Sequence, residues 1–386
     1  MTRAGEVSAK SSESAAWSGP RQITLESLTL ESGVTLAPVT IAYETWGRLS
    51  PARDNAALLC HALTGDAHAA DTTRPDDPRA GWWNPLIGPG RALDTDRYFV
   101  ICSNILGGCY GSTGPTSPHP DDDRPYGLRF PEITIGDMVG AQRALLAALG
   151  IERLALVAGG SVGGLQALEW TIAYPDQVAR AIIAGAAPRL SAQGVAIDAI
   201  MRQAIMTDPA WRGGDYAPDA GPAVGLGIAR MLAMLTYTSP AGLDARFGRQ
   251  IAARESGWPA FGPRWDVASY LEHQADKLVA RFDASTYLYL TSAMDRYDAA
   301  AGRGSDTQAF ARIQAETLLI GMSTDWLYPA ASVRALADGI AAAGGRAIYH
   351  EIDSLEGHDA FLKDWEQMGA ALRSFLPSTD RSTCEP

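Results

Sequence analysis

Cysteine is scarce and unpatterned in this chain. Cys60, Cys102, Cys109 and Cys384 are the four present, with no CxxC pair and no metal-type spacing. This argues against a disulfide scaffold or a metal site and for reduced thiols in a cytoplasmic protein. Positive charge is also in deficit: 32 Lys and Arg stand against 44 Asp and Glu, a formal net charge of -12, with no basic tract. Neither nucleic acid nor an anionic membrane is therefore expected as a partner. No apolar run reaches the roughly twenty residues of a membrane span, and Met1-Thr2-Arg3-Ala4-Gly5 leads into no apolar secretory core. Internal repeats are missing. The glycine-rich run at 107–114 lacks the GK[ST] ending of a phosphate loop, so it reads as a tight structural loop near the mouth of a site.

What is present is a serine between two glycine pairs. Gly159-Gly160-Ser161-Val162-Gly163-Gly164 follows the apolar run Leu154-Ala155-Leu156-Val157 and precedes a helical pattern from Leu165 to Trp170. Glycines two residues either side of the serine permit a turn that a Cβ would obstruct, lifting the hydroxyl to the end of a strand. The helix beginning there directs free N–H groups at any oxyanion formed.

Such a serine needs a base and a carboxylate that orients the base, following it in chain order in folds of this kind. The strand-like run 317–321 delivers Asp325, and the run 347–352 delivers His358 within Gly357-His358-Asp359. Both candidates lie just past a strand's carboxyl end, where open α/β sheets gather functional groups. His350 is a rival base but lies inside a strand; His68, His119 and His273 have no glycine-flanked acid beside them. Asp338 and Asp353 are rival acids, the first inside the following helix and the second only five residues before His358.

Strand-like runs at 55–60, 98–102, 154–157, 181–184, 317–321 and 347–352 alternate with helical stretches such as 134–149, which predicts a mostly parallel sheet flanked by helices. Residues 189–309 break the rhythm: 197–206, 223–236, 270–282 and 285–298 have helical spacing and no convincing strand between them. The expected organisation is a loose segment at 1–20, an α/β core at 21–188 and 310–376, a helical lid at 189–309, and a loose tail at 377–386.

These motifs together resemble the homoserine O-acetyltransferases of the α/β-hydrolase superfamily. The resemblance rests on AYETWG at 42–47, CHALTGD at 60–66, GWW at 81–83, NILGGCYGSTGP at 104–115, the stretch 159–170 and GHD at 357–359, and it covers most of residues 22–376. Val162 and Leu165 depart from it, since relatives usually carry methionine there. The resemblance implies an α/β-hydrolase fold with an inserted lid and transfer of acetyl from acetyl-CoA to L-homoserine, a step of methionine biosynthesis. It further implies a ping-pong mechanism with Ser161, Asp325 and His358 as the triad, no tightly bound cofactor or metal, and a homodimer through the lid. The oxyanion donors are the N–H groups of Val162 and of Leu63, the latter in the loop after an early strand; His61 beside it reads as loop-stabilising. Arg230, Asp359 and Tyr237 match positions that bind substrate in the family, although Arg230 by itself reads as an ordinary helix charge and Asp359 as a loop cap. Succinyl-CoA-using relatives tend to carry arginine two residues after the aspartate, where this chain has Leu327, which favours acetyl. Serine O-acetyltransferase, homoserine O-succinyltransferase, carboxylesterase and a non-catalytic binding module remain as alternatives.

Overall fold

The computed structural model describes residues 20–71, 81–217, 219–252 and 263–377. The expected loose ends, 1–20 and 377–386, lie outside the described residues except for Pro20 and Pro377. Eight strands form one sheet: β1 (Arg21–Leu25), β2 (Val39–Trp46), β3 (Ala56–Cys60), β4 (Phe99–Ser103), β5 (Leu156–Gly160), β6 (Arg180–Ala184), β7 (Glu316–Met322) and β8 (Ala347–Ile352). Their spatial order is β1-β2-β4-β3-β5-β6-β7-β8. β2 runs antiparallel to both neighbours, and all other pairings are parallel.

The central strands carry no polar alternation because both faces are covered. Alternate residues enter two separate cores: Leu58, Val157 and Ile183 join one, Leu59, Ala158 and Ile182 the other. The first core is closed by α1 (Ile135–Ala148) and α2 (Val162–Ala173) together with most of the later helices. α1 starts where the sequence provides a reciprocal cap: Asp137 N–H donates to Thr134 Oγ1 at 3.0 Å and Thr134 N–H to Asp137 Oδ2 at 2.9 Å.

Between β6 and β7 the chain forms α3 (Ala192–Thr207), α4 (Ala223–Tyr237), α5 (Pro240–Phe247), α6 (Asp266–Val279), α7 (Ala284–Arg296) and the short α8 (Asp306–Phe310). No strand of the main sheet lies in this stretch among the described residues. Its entry and exit meet at Arg189, which bridges to Asp298 at 2.8 Å and to Asp306 at 2.5 Å. After β7 come α9 (Ala330–Ala342), then β8, α10 (Ala360–Lys363) and α11 (Trp365–Phe375), and the last two close the second core with Phe361, Met368 and Leu372.

β5 continues past Val157, where the apolar run stops. Gly159 and Gly160 still pair in register with Cys60 and Ala184, so the ladder overrides the poor strand propensity of glycine. Cys60 and Cys102 are buried, and they and Cys109 are free thiols. No helix of the described residues is long and apolar enough to cross a membrane, and no described group of three or more His, Cys, Asp or Glu could hold a metal ion.

Candidate active site

Ser161 stands at the junction of β5 and α2 with φ 58 and ψ -126, a backbone conformation that costs a residue with a Cβ. Its N–H donates to the Ala184 carbonyl of the next strand at 2.9 Å. The flanking glycines are required sterically: a Cβ on Gly159 would lie 2.3 Å from the Gly163 carbonyl oxygen, and one on Gly163 would lie 1.9 Å from the Cys60 carbonyl oxygen. The helix start is thus wedged against the end of β3, and the strained serine is held there by packing on both sides.

Asp325 and His358 meet past the ends of β7 and β8. His358 Nδ1–H donates to Asp325 Oδ2 at 2.7 Å, with the two side chains 2% and 0% exposed. A carboxylate can only accept, so Nδ1 carries a proton, and in the neutral ring Nε2 keeps its lone pair. Asp325 is fixed in turn by Leu327 N–H and Tyr328 N–H, each 2.9 Å from Oδ1. The two loops are stitched by Gly357 N–H to Thr324 Oγ1 at 3.2 Å and Thr324 Oγ1–H to the Ser354 carbonyl at 2.6 Å. Burial opposes a charged imidazole here, but the Asp325 charge and hydrogen bond, with the charge of Asp359, outweigh it and raise the His358 pKa above the ordinary value. His358 Nε2 is buried and has no hydrogen-bond partner among the described residues, as a nitrogen kept free to take a proton must be.

Leu63 lies in the turn after β3, beside the end of β5. The turn is shaped by the Ala62 carbonyl, which accepts from Gly65 N–H at 2.9 Å and from His61 Nδ1–H at 2.8 Å. His61 Nε2 accepts Ile105 N–H at 3.1 Å, and burial lowers the His61 pKa, consistent with a neutral ring that ties two loops together. Arg281, two residues past the end of α6, donates to the Thr64 carbonyl at 2.8 Å. Neither Leu63 N–H nor Val162 N–H has a backbone acceptor among the described residues.

α4 is docked on these loops. Trp326 Nε1–H donates to the Leu235 and Thr238 carbonyls at 3.1 and 3.0 Å, and Ser239 Oγ–H to the Leu355 carbonyl at 2.5 Å. That docking sets the Tyr237 ring 6.0 Å from the His358 ring, with the Arg230 guanidinium 5.5 Å from the Tyr237 centroid. Asp359 comes close enough for its charge to act on both His358 and Tyr237, but its carboxylate is paired with Lys363 Nζ at 3.2 Å.

Residues 56–364 match the alpha/beta hydrolase fold family. The homoserine O-acetyltransferase of Symbiobacterium thermophilum is 52% identical over 90% of this chain and 91% of its own length. The chain belongs to the homoserine O-acetyltransferase family of α/β hydrolases. Among solved structures, the homoserine O-acetyltransferase of Bacillus anthracis superimposes with a TM-score of 0.88 at 29% identity, covering 94% of this chain and 98% of that one. Esterase E22 superimposes almost as well, with a TM-score of 0.86 at 31% identity over 93% of this chain and 99% of its own. The same framework is therefore shared with one protein named a transferase and one named an esterase.

Several residues of the site were not singled out from the sequence. Tyr328 stacks on His358 at 5.6 Å between ring centroids, and Phe361 meets the imidazole edge-on at 5.7 Å. Asp198 on α3 is 4% exposed. A signal for it existed: Gly194, Asp198, Met201 and Ile205 form the buried stripe of α3, and an aspartate in the middle of an apolar helical stripe is out of place.

Proposed function

We propose that this protein transfers an acetyl group from acetyl-CoA to the hydroxyl of L-homoserine by way of an acyl-Ser161 intermediate. The observation that carries the mechanism is the buried Asp325–His358 pair with its unpartnered Nε2, which lies past the carboxyl ends of β7 and β8 as Ser161 lies past that of β5. In the first half-reaction Ser161 Oγ attacks the thioester carbonyl carbon while its proton passes to His358 Nε2. The N–H groups of Leu63 and Val162 stabilise the oxyanion; collapse breaks the carbon–sulfur bond, and His358 returns the proton to the departing thiolate. In the second, His358 takes the proton of the acceptor hydroxyl, whose oxygen attacks the acyl-serine, and Ser161 leaves with that proton. Asp325 keeps the imidazole in the required tautomer throughout.

Arg230 is the cation for the acceptor carboxylate, Tyr237 lines the same wall, and Asp359, beside the base, is the anion for the acceptor ammonium. Helices α3–α7 act as the lid over this chamber. A homodimer through the lid is supported by the exposed Ile200, Met206, Val224 and Ile228 on the mutually packed α3 and α4; sedimentation at micromolar concentration tests it, and a monomer rejects it. Together with reduced thiols and a net charge of -12, the reading fits an enzyme of the cytoplasm.

The deciding experiment is thiol release from acetyl-CoA in the presence of homoserine, serine or no acceptor, with wild type and Ser161→Ala. Acceleration by homoserine and loss of release in the variant are expected. Near-normal turnover by Ser161→Ala rejects the scheme. The likeness to an esterase supplies the competing reading: efficient hydrolysis of p-nitrophenyl acetate without acceleration by homoserine would favour a carboxylesterase.

A further inference from the structure

The GWW segment at 81–83 holds two tryptophans whose rings lie 5.0 Å apart. Trp83 is completely buried, in the second core together with Phe361. The segment is pressed against the chain that follows the Leu63 turn: a Cβ on Gly81 would lie 2.3 Å from the Ala70 Cα, and Trp83 N–H donates to the Ala69 carbonyl at 2.8 Å. Each indole then reaches a different loop of the site. Trp82 Nε1–H donates to the Asp66 carbonyl at 3.0 Å, three residues past Leu63, and Trp83 Nε1–H donates to the Phe361 carbonyl at 2.9 Å, three residues past His358. The Phe361 carbonyl is open to an indole because α10 is a single turn, and its closing bond, from Asp364 N–H at 2.8 Å, goes to the Ala360 carbonyl instead. A buried backbone carbonyl needs a donor, and Trp83 supplies one from 278 residues away in sequence.

Phe361 is where that bond meets the chemistry. Its ring, 1% exposed, stands edge-on to the His358 imidazole at 5.7 Å and 71° between planes. It also lies over Gly160, the residue before Ser161, so closely that a Cβ there would fall 2.4 Å from Cδ2 and Cε2 of the ring. The ring is therefore a spacer that touches both the base and the strand end presenting the serine. Such a spacer is needed, because the Asp325 bond holds the imidazole at Nδ1 alone, and a ring anchored at one atom can still swing. Packing must fix Nε2: Tyr328 stacks on the imidazole from the loop after β7 at 5.6 Å, and Phe361 meets its edge from the segment after β8. We propose that Trp83 is a positioning residue for acyl transfer: by holding the Phe361 carbonyl it fixes the Phe361 ring, and that ring sets the spacing between Ser161 and His358. Neither side chain takes part in bond making. The proposal rests on the acyl-Ser161 reading above and is independent of which acceptor follows.

The test is pre-steady-state acylation of the full-length protein by p-nitrophenyl acetate, read as burst amplitude, burst rate constant and half-saturating ester concentration. Trp83→Phe removes the indole N–H while keeping an aromatic ring, and Phe361→Leu removes the ring edge while keeping an apolar side chain. Each is expected to lower the burst rate constant about 10- to 100-fold, the cost of displacing reacting groups by about 1 Å, with the half-saturating concentration unchanged. A merely structural contribution would reduce the amplitude, which counts folded enzyme, and leave the rate constant alone. Because the two residues act through one chain of contacts, the double variant should fall no further than the worse single variant. A wild-type rate constant in Phe361→Leu, a loss of amplitude alone, a rise in half-saturating concentration alone, or losses that multiply in the double variant overturns the proposal. Where Trp83→Phe fails to fold, Phe361→Leu decides by itself. If Ser161→Ala cleaves the ester as fast as wild type, it is the acyl-serine reading that fails.

Discussion

Alanine in place of Gly163 would put a methyl carbon 1.9 Å from the Cys60 carbonyl oxygen, 2.7 Å from its carbon and 3.1 Å from the His61 carbonyl oxygen. All three neighbours are backbone, so no side chain can swing aside. Restoring an ordinary contact requires α2 and the end of β3 to separate by more than about 1 Å, and overpacking of this kind costs about 1–3 kcal/mol. The functional loss should be larger in proportion. Leu63 and Val162 lie on the two segments being forced apart, and an oxyanion donor must sit about 2.7–3.1 Å from its target; loss of one donor lowers kcat about 100- to 1000-fold. Gly140→Ala is the control, because nothing lies within 4 Å of its Cβ in the middle of α1; it should be neutral or stabilising by about 0.4–1 kcal/mol. Thermal unfolding and the acylation burst with p-nitrophenyl acetate measure both quantities. A Gly163→Ala enzyme with the wild-type burst rate would show that the wedge between β3 and α2 does not set the oxyanion geometry.

Three other outcomes are expected. Because His358, the proton acceptor of the proposed mechanism, has a raised pKa and must be neutral to act, kcat/KM should fall as pH drops through a value above the usual imidazole figure of about 6.5; Asp325→Asn removes the opposing charge, leaves burial dominant, and should move that limb to lower pH while cutting kcat about 10,000-fold. Arg303 donates to Glu169 Oε2 at 3.0 Å, and Glu169 is 3% exposed, so Arg303→Met should destabilise the protein by about 3–5 kcal/mol in urea titration with little effect on the kcat of the folded fraction. With Leu327 two residues after the candidate catalytic aspartate, steady-state rates should favour acetyl-CoA over succinyl-CoA, and a succinyl preference would refute the inference from that position.

The sheet was legible wherever strands were short, apolar and followed by a turn, as at 56–60, and the candidate nucleophile, acid and base were legible because each follows a strand-like run. β1 and β2 were not. The Arg21–Leu25 edge strand is mostly exposed, and Val39–Trp46 mixes Thr, Tyr, Glu and Trp in a strand that is nonetheless almost wholly buried; Glu44 is accommodated by His68 at 2.9 Å, a partner 24 residues away that no local pattern reveals. α5 escaped notice because eight residues carry too little periodicity to stand out. The pairing of Arg202 on α3 with Asp295 on α7 was illegible for the same reason as that of Glu44: the two helices are brought together only by the fold.

That distinction bears on how one framework can carry both transfer and hydrolysis. Ser161, Asp325 and His358 are positioned by strand ends, which the sheet ladder fixes whatever the lid contains. In the acetyl-transfer reading the acceptor is held by the lid, whose helix α4 is tied to the loops of the acid and base by a few polar contacts, chiefly Trp326 to the end of α4 and Ser239 to the Leu355 carbonyl. Water needs no more than access to the acyl-serine, whereas an amino-acid hydroxyl needs charged partners placed at a fixed distance from Nε2. On that reading, changes in the lid charges should convert transfer into hydrolysis without disturbing the triad, and the α4 anchors are where such a change would have to preserve geometry: a Trp326→Phe enzyme should lose acceptor stimulation while keeping its ester-hydrolysis burst. If both activities fell together, α4 would be supporting the base itself, and acceptor selection would have to be sought elsewhere.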